Sequence, residues 1–149
     1  MSSPTQPPLV VRVTRRFAAS AERVFDAFLD PEKAGRFMFA TPAGQMVRAE
    51  VDARVGGRYL FTDRRDGEDV EHFGEYLEID RPRRLVFTFS VDRTSTDADR
   101  VAIDVVPLES GCELTLTHEM KPEWAEYAAR TEQGWTGIIE GLARTLGEG

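Results

Sequence analysis

The sequence predicts an α+β domain in which a curved antiparallel sheet of about six to seven strands wraps around one long C-terminal helix. Two short helical segments follow the first strand, and a series of strand-like segments joined by hairpin-length turns comes next. Connections of that length imply antiparallel pairing. The final segment changes to a helical period, and it is the only long element left to cover the apolar face of the sheet.

The first 40 residues predict one strand and two short helices. Residues 9–17 alternate between apolar and polar side chains, which is typical of a strand. Ser20 is a suitable N-cap for the first helix, in which apolar residues recur at helical spacing. Asp30 can cap a second helix that has Pro31 at its first position and ends near Phe37.

The middle of the chain predicts six more strands separated by turn residues. Gly56 and Gly57 indicate a turn or bulge, and Asp66-Gly67 is a hairpin signal. Residues 92–99 form a polar loop between two strands. The predicted strands are 46–51, 58–62, 73–77, 85–91, 100–108 and 113–120.

The last segment predicts one long amphipathic helix that ends near Gly147. Its apolar residues recur at steps of three and four, from residue 128 to residue 146. Gly134, Gly137 and Gly141 each weaken a helix by up to ~1 kcal/mol relative to alanine. Their presence predicts close packing of this helix against another element.

Composition restricts the partners. The chain has 149 residues and a net charge of −7, which predicts one domain over 9–147 after a disordered lead-in at 1–8 and argues against nucleic acid as a partner. No apolar run approaches the ~20 residues that cross a bilayer, so no membrane insertion is expected. The lead-in lacks the pattern of a secretory signal, and the single Cys112 favours a cytoplasmic location.

The alternation along the strands predicts which side chains face the helix. Tyr59 and Phe61 share a face, as do Phe87 and Phe89, and Trp135 and Ile139 oppose them from the helix. This face is either a ligand cavity with a few polar anchors or a filled core.

Two ionisable residues, Glu75 and His118, are candidates for chemistry on that face. Glu75 has the parity of Phe73, so it points into the cavity unless the strand edge keeps it in water. His118 lies among apolar neighbours and is either a structural residue or a ligand-binding one. His72 lies in an acidic stretch and is expected at the surface.

Several chemistries find no support in the residue pattern. Cys112 and His118 are six residues apart on one strand, about 20 Å, which is too far for a catalytic pair. Two histidines and one cysteine make no zinc motif, and no nucleophile elbow, P-loop or dinucleotide fingerprint is present. No metal, no cofactor and no catalytic residue is therefore predicted.

Eight short motifs follow one another along the chain in a characteristic order: 16–19 (RFAA), 22–28 (ERVFDAF), 30–33 (DPEK), 55–59 (VGGRY), 74–79 (GEYLEI), 84–89 (RLVFTF), 114–119 (LTLTHE) and 134–135 (GW). Their order resembles the helix-grip superfamily, also called SRPBCC or START-like. Within it, the chain is similar to the branch related to the C-terminal domain of the activator of the heat-shock protein 90 ATPase. Phe37, Met38, Phe39 and Phe89 stand where the family often has tryptophan.

The resemblance implies a domain that holds a small apolar or amphipathic molecule between sheet and helix. An enzyme of the cyclase or hydrolase type using Glu75 or His118 is one alternative, and a chaperone-associated or homodimeric interaction module is another. The eukaryotic co-chaperone has a further N-terminal domain, so chaperone activation is not expected to carry over. The predicted ligand-binding residues are Phe37, Tyr59, Phe61, Phe73, Glu75, Phe87, Phe89, His118, Trp135 and Ile139.

Overall fold

This computed structural model describes residues 9–40, 44–91 and 98–148. The described residues form seven antiparallel strands, two short helices and a long C-terminal helix that a 3₁₀ helix precedes. This is the predicted α+β helix-grip architecture. The predicted lead-in at 1–8 and most of the predicted loop at 92–99 lie outside the described residues. In chain order the elements are β1 (Leu9–Phe17), α1 (Ala21–Leu29), α2 (Pro31–Phe37), β2 (Gln45–Val51), β3 (Arg58–Arg65), β4 (Glu68–Asp80), β5 (Arg84–Phe89), β6 (Asp99–Pro107), β7 (Cys112–Met120), a 3₁₀ helix (Pro122–Tyr127) and α3 (Ala128–Thr145).

The strands lie in the order β1-β7-β6-β5-β4-β3-β2. Hairpins join successive strands from β2 to β7, and every neighbouring pair is antiparallel. β1 adds to the sheet beside β7, so β1 and β2 are its two edges. Helices α1 and α2 therefore carry the chain from one edge of the sheet to the other.

Side-chain caps begin both short helices, as the sequence predicts. The Ser20 hydroxyl accepts a hydrogen bond from the backbone N–H of Arg23 at 3.2 Å. The Asp30 carboxylate accepts from the N–H of Glu32 at 3.0 Å and from that of Lys33 at 3.4 Å. These bonds satisfy N–H groups that have no partner inside the helix.

Helix α3 buries Trp135, Ile139 and Leu142 against the sheet. A side chain at Gly141 would place its Cβ 3.1 Å from the Cβ of Phe37, so α2 and α3 approach closely there. The other two helix glycines, 134 and 137, meet no atom within 4 Å, so the predicted close packing holds at Gly141 alone. None of the described helices is long and apolar enough to cross a membrane.

The predicted inward face of β4 is wrong. His72 and Tyr76 are buried, whereas Phe73 and Glu75 are half-buried and Leu77 is exposed. The other strands that were assigned by alternation face the helix as predicted, with Tyr59, Phe61, Leu85, Phe87, Leu114 and Leu116 all buried. Alternation predicts that the apolar residues of β4 face inward, but the strand carries a histidine, a glycine and a tyrosine on that face instead.

Gly74 occupies that inward face because the space above it is taken. Next to Gly74, the Tyr59 hydroxyl donates a hydrogen bond of 2.6 Å to the carbonyl of Thr88. A Cβ on Gly74 would lie 1.8 Å from that carbonyl oxygen and 2.8 Å from the Tyr59 hydroxyl. The glycine therefore allows β4 and β5 to approach while the buried tyrosine keeps its acceptor.

We expect Gly74→Ala to lower the free energy of unfolding by roughly 1–3 kcal/mol or more, because backbone must move to admit one methyl group. Gly137→Ala is the matched control, since its Cβ meets open space and it should gain up to about 1 kcal/mol from helix propensity. Urea unfolding of both variants measures the difference. A Gly74→Ala protein as stable as the parent would contradict the packing described here.

Candidate functional site

A pocket opens between the start of α3 and one end of the sheet. Its volume is about 410 Å³, which lies within the roughly 300–1,000 Å³ of ordinary small-molecule sites. β3 and β5 end near this pocket, while β4 and β6 begin there. The residues that line it are Phe39, Ala40, Arg65, His72, Phe89, Asp99, His118, Arg130, Thr131, Gly134, Trp135 and Ile138.

Further along the sheet, the described interior around Tyr59, Phe61 and Phe87 is closely packed. Around Tyr59, Phe61 and Phe87, a void of only about 10 Å³ remains. Phe87 packs edge-on against Tyr59 at 5.4 Å between ring centroids, and Tyr59 also contacts Phe61 at 5.8 Å. The two alternatives left by the sequence, a filled core and an open cavity, thus apply to different parts of the same interior.

A chain of hydrogen bonds closes the inner wall of the pocket. The indole N–H of Trp135 donates to Nδ1 of His118 at 2.7 Å, and Nε2 of His118 lies 2.8 Å from a carboxylate oxygen of Asp99. An indole N–H can only donate, so Nδ1 must be the acceptor and the ring proton resides on Nε2. Asp99 therefore accepts from His118, and α3 is tied to β6 and β7 through polar groups.

The positions of His118 and Glu75 show whether either side chain can act as an acid or a base in the pocket. Both nitrogens of His118 are engaged, and the ring is 2% exposed, so it has no lone pair available to a substrate. Glu75 lies opposite Arg58 in the β3–β4 pairing, on the other face of β4 from buried His72 and Tyr76. Neither residue is placed for general acid–base chemistry in the pocket.

Phe39, which follows α2, forms the apolar wall of the pocket. Its ring stacks on His72 at 4.6 Å and on Phe89 at 4.9 Å between centroids, and it meets Trp135 edge-on at 5.6 Å. Its backbone has a φ of +58°, a left-handed conformation that bulky residues rarely adopt. Such strain persists only where the surroundings hold it, and it often marks a binding site.

The strained backbone at Phe39 is held by Arg65. One guanidinium N–H of Arg65 donates to the carbonyl of Phe39 at 3.0 Å, and its Nε–H donates to the buried carboxylate of Asp63 at 2.9 Å. Asp63 thereby fixes the orientation of Arg65, which in turn fixes the segment after α2. The position of the Phe39 ring depends on both contacts.

His72 is buried within this wall rather than exposed, so the surface location predicted for it is wrong. Its Nδ1 lies 3.3 Å from the carbonyl of Phe61, and one face of its ring is covered by Phe39. Burial lowers the pKa of His72 from 6.5 to about 4, with the positive charge of Arg65 acting in the same direction. The ring is therefore neutral near pH 7.

The structure divides the ten predicted ligand-binding residues into three groups. Phe89, His118 and Trp135 line the pocket. Phe73 and Glu75 lie on the opposite face of β4 from its buried side chains. The remaining five are buried in the filled core, which comprises Phe37, Tyr59, Phe61, Phe87 and Ile139.

The alternation of residues missed most of the polar lining. Arg65 and Asp99 stand at strand ends, where neighbouring charges indicate solvated turns, and Arg130 lies in a polar stretch before the apolar part of α3. The sequence singles out Phe39 only as a residue that stands where the family often has tryptophan. That substitution was the one available signal, since an aromatic residue just after α2 is placed by the turn rather than by any periodicity.

Comparison with known families identifies the chain. Residues 18–147 match the family described as "Activator of Hsp90 ATPase homolog 1-like protein", and the chain belongs to this family. The family lies within the helix-grip, START-like superfamily that the motif order indicated. Among curated proteins, no sequence matches the chain.

Solved structures with the same fold come from several bacteria. A crystal structure of a Chromobacterium violaceum protein is 28% identical, with a TM-score of 0.81 over 92% of this chain and 96% of that one. A Nitrosomonas europaea protein is 21% identical, with a TM-score of 0.81 over 93% and 94%. An AHSA1-like protein of Aeromonas hydrophila is 20% identical, with a TM-score of 0.80 over 93% and 92%. At these identities the latter two establish likeness of fold alone.

We expect burial of His72 to make the protein less stable in acid. The unfolded chain binds a proton near pH 6.5, while the folded chain resists it down to about pH 4, so stability is lost as pH falls through that interval. The shifted pKa of His72 therefore contributes about 3 kcal/mol to the free energy of unfolding near pH 7, and this contribution is lost on acidification to pH 4. In urea unfolding between pH 7 and pH 4, His72→Phe should lose correspondingly less stability than the parent. Parallel pH profiles for the two proteins would refute the assignment.

Removing the indole donor should leave Nδ1 of His118 buried with no hydrogen bond. We expect Trp135→Phe to lower the free energy of unfolding by roughly 1–3 kcal/mol. The control is Trp124→Phe, which changes an indole that is 48% exposed and should leave stability unaltered within about 0.5 kcal/mol. In ¹⁵N spectra of the parent, His118 should carry its proton on Nε2. An Nδ1-protonated ring would overturn the hydrogen-bond directions given above.

Proposed function

We propose that this protein binds a small apolar or amphipathic molecule in the pocket between the sheet and the start of α3. The observation that carries the proposal is the pocket itself, about 410 Å³, which lies beside the closely packed region around Tyr59, Phe61 and Phe87. Its lining combines aromatic rings with a few polar groups, which is the usual composition of small-molecule sites. Membership of the helix-grip superfamily supports a domain of the ligand-binding type.

The rigidity of the lining supports the same proposal. Phe39 is held by Arg65, and the Trp135 ring is held by His118, so two aromatic walls are fixed before a ligand arrives. A preformed site loses less conformational entropy on binding than one that must be ordered. We therefore expect little backbone movement in the described part of the site when it is filled.

The alternatives remain predictions. Glu75 and His118, the residues offered for catalysis, are not placed to act on a molecule in the pocket. A homodimer or a chaperone-associated module would be revealed by sedimentation of the pure protein and by pull-down from lysate.

A cytoplasmic location is part of the proposal. It is supported by Cys112, the single cysteine of the sequence, whose buried thiol forms no disulfide in the described part of the chain.

Two helix glycines provide a matched test of the pocket. A side chain at Gly134 would enter the pocket lining, whereas one at Gly137 would lie on the outer surface of α3, and neither position meets an atom within 4 Å. Gly134→Leu and Gly137→Leu should therefore both fold, with similar gains in helix propensity. Only the first should fill the site.

We expect the neutral fluorescent probe N-phenyl-1-naphthylamine to bind the parent and Gly137→Leu with equal affinity. Gly134→Leu should bind it at least about tenfold more weakly, which corresponds to about 1.4 kcal/mol. Fluorescence titration measures the affinities, and native mass spectrometry of the purified parent reports any bound molecule. Equal binding by both leucine variants would show that the probe lies elsewhere and would remove the basis of the proposal.

A further inference from the structure

We propose that the molecule held in this pocket is an amphipathic anion, with a flat apolar body and an acidic group that is recognised by Arg130 and Arg65. This inference rests on the proposed function, because it assigns a charge and a shape to the ligand of the same site. Both arginines line the pocket: Arg130 is on the first turn of α3, and Arg65 is at the end of β3.

Arg130 supplies donors that the protein itself does not use. The Cζ atom of its guanidinium lies over the ring of Tyr127, 5.9 Å from the ring centroid, and this contact uses no N–H donor as a hydrogen bond. Across residues 9–40, 44–91 and 98–148, no carboxylate pairs with it. A guanidinium presents five N–H donors in a plane, and a carboxylate on a ligand can accept two of them at once.

Arg65 supplies a second cation whose orientation is already fixed. Its Nε–H donates to the Asp63 carboxylate, and one Nη2–H donates to the carbonyl of Phe39. Within the described part of the chain, the donors on Nη1 are left for another acceptor. Because the buried Asp63 holds the group in place, an incoming anion need not order this side chain.

The remaining polar lining already has partners. The carboxylate of Asp99 accepts from His118, and the N–H of Trp135 is donated to the same ring. Neutral His72 brings no charge near pH 7. The lining thus contributes two guanidinium groups, and the carboxylates of Asp63 and Asp99 beside them already have partners. Asp63 balances the charge of Arg65, so within the described part of the chain Arg130 is the lining cation that has no carboxylate partner.

The aromatic walls define the body of the ligand. Phe39 and Phe89 are nearly parallel, with 17° between their planes, and Trp135 stands across them at 62° to Phe39. Because Phe39 and Phe89 stack on each other at 4.9 Å, these rings form one aromatic wall, and an apolar ring system can pack against its open side. A volume of about 410 Å³ accommodates a body of two or three fused rings.

The test uses three probes of one shape: 2-naphthoate, the neutral 2-naphthamide and the cationic 2-naphthylmethylammonium. At pH 7.5 and low salt, calorimetric titration of the parent should show 2-naphthoate binding at least about tenfold more tightly than the amide. Arg130→Gln should reduce that preference to below about threefold, and Arg130→Glu should shift it toward the cation. Arg12→Gln, an exposed arginine on β1 outside the pocket, is the control with the same charge change and should keep the preference.

The outcomes separate this inference from the proposed function. In one outcome, 2-naphthamide and N-phenyl-1-naphthylamine bind the parent and Gly134→Leu abolishes their binding, so the site stands. If in that case 2-naphthoate binds no more tightly than the amide, or if Arg130→Gln does not reduce its advantage over the amide, the anion inference is wrong. If Arg12→Gln lowers the preference as much as Arg130→Gln, the effect is one of overall charge and the inference is also wrong. If no probe shows binding that Gly134→Leu abolishes, both are refuted.

Discussion

The hydrogen bond from Trp135 to His118 determines how the long helix meets the sheet. It fixes the depth of α3 at one point, and the partnership of His118 with Asp99 extends that constraint to β6. Beyond this point, toward the end of the helix, Ile139 and Leu142 are fully buried in the core. Before it, the helix stands away from the sheet and the pocket opens. A polar contact can set such a boundary because it has a definite length and direction, which apolar contacts lack.

The opposite wall follows a similar principle. Asp63, though buried, holds Arg65, which holds the carbonyl of a strained Phe39, whose ring then covers His72 and Phe89. Buried polar groups are costly unless they are partnered, and replacement by apolar residues is often no less stable. Their concentration around one pocket is the feature that supports the ligand-binding role proposed for this region.

The sequence predicted the interior better than it predicted the site. Alternation placed Tyr59, Phe61, Phe87 and Leu116 correctly, because those strands present a consistent apolar face. It failed on β4, where the inward positions are His72, Gly74 and Tyr76 and the more apolar residues face outward. The reason is steric: the inward position of residue 74 must be empty for the Tyr59 hydroxyl to reach Thr88. Cross-strand exclusion of this kind involves residues 15 and 29 positions apart, and no local periodicity records it.

What the sequence determined by itself is the framework: about six to seven strands, two capped helices and a long amphipathic helix. These follow from short-range features, namely side-chain periodicity, capping residues and turn residues, whose physical effects act within a few positions. The resemblance of its short motifs, taken in order, also indicated the helix-grip superfamily. Only the tertiary structure decided where the interior is filled and where it is open. That depends on Asp99, His118 and Trp135 meeting from three separate elements, and on a guanidinium that reaches from β3 to the turn after α2. Such contacts arise from the distances between folded elements, which the order of residues does not display.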